Sequence, residues 1–335
     1  MAVKKISKKS TSKKSVGKSV GKSAGKSAVG KSPTPRTTKK MRSTLDNRAI
    51  AILYRPSTDL AIQKSEELAQ WLQEQGSEVL AAPGQKLGRG IRTVTGKDLE
   101  RLDLVVVLGG DGTYLGAVRM LERHAVPVLG VNMGSLGFLT ETRVEDLFNT
   151  VIATLAGKMD FRPRSMLSIE VRNGGKKKAE YLALNDAVLE RGSVTHLINI
   201  EIHSEKHLVS QLKADALIIA TPTGSTAYNL AAGGPILHPD TRSIVVTPVC
   251  PHALTSRPLI FPDDQSLKFQ LKQTQEERDA GKNAILTVDG AHCGAITHAD
   301  EIIVTRSPID HITVRKPSHN FFQLLREKLK FGERN

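Results

Sequence analysis

The chain has 335 residues, 39% of them hydrophobic and 24% charged, with one Trp and two Cys; this supplies one or two ordinary cores and excludes a small disulfide-stapled scaffold. The formal net charge is +14, yet residues 1–45 hold 12 Lys and 2 Arg with no Asp or Glu, so the tail carries all of it and the other 290 residues balance 34 basic against 34 acidic groups. A basic folded surface for nucleic acid is thereby excluded, and Cys250 and Cys293 are too isolated for a thiolate zinc site, so buried thiols in a reducing compartment are expected.

The first 45 residues are low-complexity Lys, Ser and Gly with nothing to bury, and are expected to stay disordered. Residues 25–32 read GKSAVGKS and formally satisfy a Walker pattern, but GKS recurs at Gly17, Gly21, Gly25 and Gly30, no strand precedes it, and Pro33 and Pro35 follow. The apolar core of a secretory signal is missing, and a Ser/Lys bias without acids only faintly resembles a transit peptide, so a cytoplasmic protein is expected. No apolar run approaches the roughly 18 residues of a membrane span.

From Arg48 the texture changes. Ala49 to Tyr54 reads as a buried strand, and Leu60, Lys64, Leu68, Trp71 and Leu72 have helical spacing that ends near Gly76. Short strands are predicted at Glu78 to Ala82, Leu104 to Leu108 and Val126 to Val131, the second flowing into GGDGT and a helix through Leu121. After Arg162 β-rich runs dominate, at Met166 to Val171, Lys178 to Glu190, Leu197 to His203, Ala216 to Ala220, Ser243 to Thr247 and Ala284 to Val288. The last segment, Asn320 to Lys330, is amphipathic and must dock, the first domain being the expected partner. The predicted architecture is α/β plus mainly-β: a Rossmann-like three-layer α/β domain over 46–160, a β-rich, sandwich-like domain over 161–308, and a C-terminal segment, 309–335, whose helix returns to the first domain.

Four segments carry chemistry. Gly109-Gly110-Asp111-Gly112-Thr113 joins the C-terminal end of a buried strand to a helix, where open α/β sheets place ligands; its free amides suit phosphate, while a carboxylate there suits a Mg²⁺ ion or proton removal from an attacking hydroxyl. A tight turn with Asp as helix cap is the competing reading. Residues 130–141, GVNMGSLGFLTE, form a second glycine loop in which Asn132 can make an Asx-type bond. Residues 215–239 run from a strand into the hydroxyl-rich turn 221–226 and Tyr228, groups that suit ribose, phosphate and a stacked base, or simply a Ser/Thr turn between strands. Leu184-Asn185-Asp186, read as part of a strand, places an amide and a carboxylate in an apolar run, calling for a ligand or a hairpin network as partner. His203 and His207 lack a shared helical face for metal, and Ser225 lacks a nucleophile elbow.

Taken together, GGDGT at 109, NMGSLGFLTE at 132, LND at 184, ATPTGSTAYNLAAGGPILHP at 220, TPVCPHALTSRPLI at 247 and VDG at 288 resemble the NAD kinase family in order and spacing, from about Arg48 to Gly332. GGDGT alone is shared with lipid kinases; the TPTGSTAY segment and its following GGP are far more selective. The resemblance implies transfer of the terminal phosphoryl of ATP, or of polyphosphate, to the 2′-hydroxyl of the adenosine ribose of NAD. It further implies that Asp111 accepts the proton, that Gly109, Gly110, Gly112 and Thr113 line the phosphate region, and that Asn185 and Asp186 grip the adenosine. Asp215 and Thr226, Ala227, Tyr228, Asn229, Leu230 and Ala231 would surround NAD, with His196 and Lys213 as further contacts. Mg²⁺ held mainly by donor phosphates, and a homodimer or tetramer, are likewise implied. The sequence departs from the family pattern at Ala216, where many members have Gly, and at Ala291, where many have Gln.

Two other readings compete. A lipid kinase needs an apolar membrane-facing groove for which no amphipathic segment is seen; a polyanion-binding module would work through the basic tail, whose +14 should associate with nucleic acid or polyphosphate in a salt-dependent way.

Overall fold

The computed structural model describes residues 44–192 and 196–330. The disordered-tail reading falls on residues 1–43, outside them. Leu45, assigned by composition to the tail, is fully buried, and its carbonyl accepts the Ser77 hydroxyl at 2.6 Å, so the folded body already includes it.

The first domain runs β1 (Ala49–Tyr54), α1 (Asp59–Glu74), β2 (Glu78–Ala81), α2 (Gly96–Leu99), β3 (Leu104–Gly109), α3 (Asp111–Leu121), β4 (Val128–Asn132), β5 (Thr142–Arg143), α4 (Leu147–Leu155) and β6 (Asp160–Arg164). Strands β2, β1, β3 and β4 pair in parallel in that order. Both faces of β1 and β3 are buried, which is why these strands read as unbroken apolar runs. Ala61, Leu68 and Leu72 of α1 cover Ile50, Ile52, Val106 and Leu108, while Ala117, Val118 and Leu121 of α3 cover Ala51, Val105 and Val107 on the other face. Burying each such Leu or Ile contributes about 1.5–3 kcal/mol, so the apolar period decides which way each helix faces.

The second domain holds β7 (Leu167–Asn173), β8 (Lys176–Ala183), β9 (Asp186–Arg191), β10 (Ile198–Ser204), β11 (His207–Ala214), β12 (Ala216–Ala220), α5 (Tyr228–Ala231), β13 (Ser243–Val249), β14 (Leu259–Pro262), β15 (Leu267–Leu271), α6 (Gln275–Asp279), β16 (Ala284–Val288), β17 (Ala291–Ile296) and β18 (Asp300–Arg306). They form two antiparallel six-stranded sheets, β11-β10-β15-β18-β7-β8 and β14-β13-β12-β9-β16-β17. Inward residues at every second position, such as Ile200, Phe269 and Ile302 from one sheet and Leu189, Ile219 and Leu286 from the other, interdigitate in one core. The outer face of β12 is covered too, Ile218 and Ala220 packing with Val188, Val245 and Leu237.

Two boundaries differ from the sequence reading. Strand β6, placed by the 161 boundary mostly in the second domain, belongs to the first sheet, where it pairs antiparallel with β19 (His311–Arg315); β19 in turn lies beside β4. The C-terminal segment therefore supplies a strand as well as α7 (Phe321–Leu329), whose first turn is capped by Asn320 Oδ1 accepting the Phe322 and Gln323 amides at 2.9 and 3.3 Å. Helix α7 buries Phe321, Leu324 and Leu325. The run from Lys178 to Glu190 is two strands, interrupted at Leu184 and Asn185 because the backbone there bonds outside the ladder.

Candidate active site

At the C-terminal end of β3 the chain turns through Gly109 and Gly110 into α3, and Asp111 opens the helix. Its carboxylate does not cap α3; it is held by the second glycine loop. Oδ1 accepts the amides of Leu139 and Thr140 at 3.0 and 3.2 Å and the Thr140 hydroxyl at 3.1 Å, whereas Oδ2 accepts, among the described residues, only the Phe138 amide, at 2.9 Å. The loop can wrap so closely because position 137 is glycine: a methyl there would land on Asp111 Oδ1 and Thr140 Oγ1. Asn132 Oδ1 accepts the Gly134 amide at 2.6 Å, the Asx turn expected there. Thr113 packs under Gly109, and Gly110 and Gly112 border open space, with nothing within 4 Å of where a Cβ would stand.

A second junction faces this turn. Asp289, in the turn after β16, is buried and accepts three consecutive amides: Leu184 at 2.8 Å on Oδ2, and Asn185 and Asp186 at 2.8 and 3.1 Å on Oδ1. Thr221 completes the knot, its hydroxyl donating to the Leu184 carbonyl at 2.5 Å and its amide to the Asn185 carbonyl at 2.9 Å. These bonds lift Leu184 and Asn185 out of the ladder, correcting the reading of LND as a continuous strand. Gly224 presses on the Asn185 carbonyl, leaving no room for a side chain. Asp186 is 6% exposed and has no side-chain hydrogen bond among the described residues. Burial, and then the Asp289 charge, push its carboxyl up to about 7. Asp289 is also pushed up by burial, against the three amides that favour its anion.

Between the two junctions lies a cleft of about 510 Å³. Gly112, Leu115 and Arg119 line it from α3, Asn185, Asp186, Asp289 and Gly290 from the buried knot, and Ala227 and Tyr228 from the hydroxyl-rich segment. Tyr228, 45% exposed, is the aromatic residue of that lining. Arg119 Nη1 donates to the Asp289 carbonyl at 3.1 Å, linking α3 to the second domain. The structure thus brings Gly112, Asn185, Asp186, Ala227 and Tyr228 to one cavity, with Asp111 beside it at the start of α3.

Other candidates lie elsewhere. Asn229 is fully buried; its amide donates to the Ser225 and Pro235 carbonyls, both at 3.1 Å, and its oxygen accepts the Thr247 hydroxyl at 2.6 Å, so it braces the segment from within. The Thr226 hydroxyl donates to the Thr223 carbonyl at 3.2 Å, and Leu230 and Ala231 continue α5 away from the lining. Asp215 sits at the far end of β12, about five strand residues or roughly 17 Å from the turn, with its carboxylate 2.8 Å from Arg191. His196 and Lys213 line grooves that share Lys272 and Glu277, not the cleft. Cys250 is exposed and Cys293 half-buried, which corrects the expectation of two buried thiols. His203 pairs with Glu201 at 3.2 Å, and among the described residues no group of three or more His, Cys, Asp or Glu is arranged to hold a metal ion.

Sequence reasoning missed Arg119, Asp289 and Gly290 as cleft residues. The VDG triplet was the available signal: an acidic residue between a strand end and a glycine has its backbone in a turn and its side chain free to bind amides.

The comparisons with known proteins join these segments. Residues 50–159 match the family model of the ATP-NAD kinase N-terminal domain, and residues 184–316 that of the ATP-NAD kinase C-terminal domain. The chain belongs to the NAD kinase family. It is 52% identical over 307 residues to an NAD kinase of Bdellovibrio bacteriovorus, covering 91% of this chain and 99% of that one. An NAD kinase of Acidobacterium capsulatum is 40% identical over 290 residues, covering 86% of this chain and all of its own. Among solved structures, yeast NADH kinase complexed with NADH superposes with a TM-score of 0.77 at 26% identity, over 87% of this chain and 89% of that one. An Archaeoglobus fulgidus NAD kinase in complex with ATP gives a TM-score of 0.63 at 23% identity, over 83% and 99%, a likeness of fold. The NAD kinase frame of an α/β domain followed by antiparallel sheets is the one described above.

Proposed function

We propose that this member of the NAD kinase family transfers the terminal phosphoryl group of ATP, or of polyphosphate, to the 2′-hydroxyl of the adenosine ribose of NAD, making NADP. The observation that carries the reading is Asp111. Its Oδ1 is saturated by three donors, so the side chain is fixed, while Oδ2 keeps lone-pair capacity one residue from Gly112, which lines the cleft. In this role Oδ2 takes the 2′-hydroxyl proton as the ribose oxygen bonds to the terminal phosphorus, whose bond to the bridging oxygen breaks to release ADP from ATP, or a polyphosphate one unit shorter. The open faces of Gly110 and Gly112 and the first amides of α3 suit the phosphates. Asn185 and Asp186 suit the adenosine hydroxyls, and Tyr228 suits a base. Such an arrangement works by positioning and charge, the main requirements of phosphoryl transfer.

A divalent cation, Mg²⁺ in this reading, would neutralise phosphate charge. The donor set fits one held largely by phosphates, because Asp289 spends both oxygens on amides, Asp111 has only Oδ2 with capacity to spare, and only Asp186 offers a cleft carboxyl without a hydrogen bond among the described residues. A homodimer or tetramer is supported by apolar groups on edge strands, with Leu208 of β11 58% exposed and Ile260 of β14 53% exposed. The two free cysteines are in keeping with a cytoplasmic setting. Among the described residues no helix is long and apolar enough to cross a membrane. Purified protein given NAD, Mg²⁺ and each donor in turn should form NADP with at least one; NADP from neither would overturn the proposal.

A further inference from the structure

The loop that holds Asp111 is itself held from the C-terminus. Arg315, the last residue of β19, is buried with a side chain 5% exposed, and its Nη2 donates to the Phe138 carbonyl at 2.7 Å. Phe138 is the residue whose amide binds Asp111 Oδ2. Arg315 Nη1 pairs with Glu141, and the other Glu141 oxygen lies 2.7 Å from His319 Nδ1, just before α7. Lys328, near the end of α7, donates to the Leu136 carbonyl and stands 5.7 Å from the centre of the Phe138 ring. Residues of the C-terminal segment thus bind the loop at Leu136, Phe138 and Glu141, which brackets the three amides on Asp111. Burial lowers the Arg315 guanidinium to about 10, against Tyr114 and Asp111, so it stays cationic at neutral pH. The Arg315–Glu141 pair is largely desolvated, so removing one member strands the other as an uncompensated buried charge.

We propose that the Arg315–Glu141–His319 chain and Lys328 of α7 form a clamp on the loop 136–141, making Arg315 and Lys328 positioning residues that set the Asp111 carboxylate for phosphoryl transfer. The inference rests on the reading of Asp111 as proton acceptor. Neither residue touches the cleft, so the clamp acts on turnover and leaves NAD binding alone. A misplacement of about 1 Å in a catalytic group can cost up to about 10²-fold in rate.

The test is a kinetic series on the full-length chain: Arg315→Lys, Lys328→Met, Lys328→Arg, Asp111→Asn and the Arg315→Lys/Asp111→Asn double variant, each with kcat, NAD Kd and Tm. Arg315→Lys keeps charge but loses the planar fork; its kcat should fall roughly 10- to 100-fold with NAD Kd within about twofold. Lys328→Met should lose about 3- to 10-fold in kcat at unchanged Tm, and Lys328→Arg should recover it, since a guanidinium can serve both contacts. The double variant should be no slower than Asp111→Asn alone, because two residues acting through one carboxylate are not additive. Additive losses, or wild-type kcat for Arg315→Lys and Lys328→Met beside an impaired Asp111→Asn, would overturn the clamp while leaving the Asp111 reading intact. Wild-type turnover by Asp111→Asn would overturn both. Should Arg315→Lys fail to fold, the two Lys328 variants, at an exposed position, decide the matter.

Discussion

Replacing Asp186 by Asn should stabilise the protein in a way that grows with pH. Asp186 is 6% exposed beside buried Asp289, and its carboxyl is pushed from the ordinary 3.8 up to about 7. The native state therefore keeps a proton that the unfolded chain has already lost, so this group's contribution to stability falls as pH rises from about 4 through about 7 and is flat above that. Three pKa units correspond to roughly 4 kcal/mol; some relaxation around the charged form is expected, so about 2–4 kcal/mol is a fair range. Asn resembles the protonated acid in shape and carries no charge, and the Asp186 side chain has no donor among the described residues that an amide would oppose. The stability difference between Asp186→Asn and wild type should therefore widen by about 1.5–2.5 kcal/mol between pH 5 and pH 8, the part of that range lying between pH 5 and about 7, or roughly 3–10 °C in Tm. Urea and thermal melts of both proteins at the two pH values measure it. Parallel stability curves would refute the argument, showing that Asp186 ionises without penalty.

Other substitutions separate the cleft's parts. Asp289→Asn should destabilise at every pH by about 1–3 kcal/mol, because its NH₂ would face an amide of residues 184–186; a urea melt equal to wild type would contradict the knot. Asp111→Asn should cut kcat roughly 10²- to 10⁴-fold with NAD still bound, checked by steady-state assay and calorimetric titration. Gly137→Ala should lower kcat with little change in NAD Kd, since its methyl collides with Asp111 and Thr140 and not with the cleft. Tyr228→Ala should raise the NAD Kd by roughly tenfold if a base stacks on the ring, as titration would show. A chain lacking residues 1–43 should phosphorylate NAD like the full chain but lose retention on a polyanion column at low salt, because those residues carry the excess positive charge.

Much of the frame was legible because burial dictates composition. Strands β1 and β3 read as apolar runs since helices cover both their faces, and β12 and β16 were placed at their observed limits. Less regular pieces escaped. β17, AHCGAI, lacks alternation because only Ile296 of its residues is buried, and β11 is an exposed edge strand with only Leu212 and Ala214 inward. The glycine turn and Tyr228 drew notice in the sequence because glycines at a strand end and an aromatic after a hydroxyl-rich turn suit a ligand as well as they suit a plain turn, and the fold places Gly112 and Tyr228 on one cleft. Asn229 was not legible: its neighbours look like ligand groups, and only the fold reveals that its amide is consumed by Ser225, Pro235 and Thr247. Likewise Asp289 and Arg315 act across 100 residues or more, on Leu184 and Phe138, a span that local pattern cannot bridge.

The central claim is that Asp111, fixed by the loop 138–140, faces the sugar hydroxyl that receives phosphate. A crystal structure of the chain with NAD bound measures this most directly. Asp111 Oδ2 should lie within about 2.6–3.2 Å of the adenosine 2′-oxygen, with Asn185 and Asp186 on the same ribose. A ribose bound elsewhere, with the Asp111 carboxylate sealed behind its loop and no path to the 2′-oxygen, would contradict it.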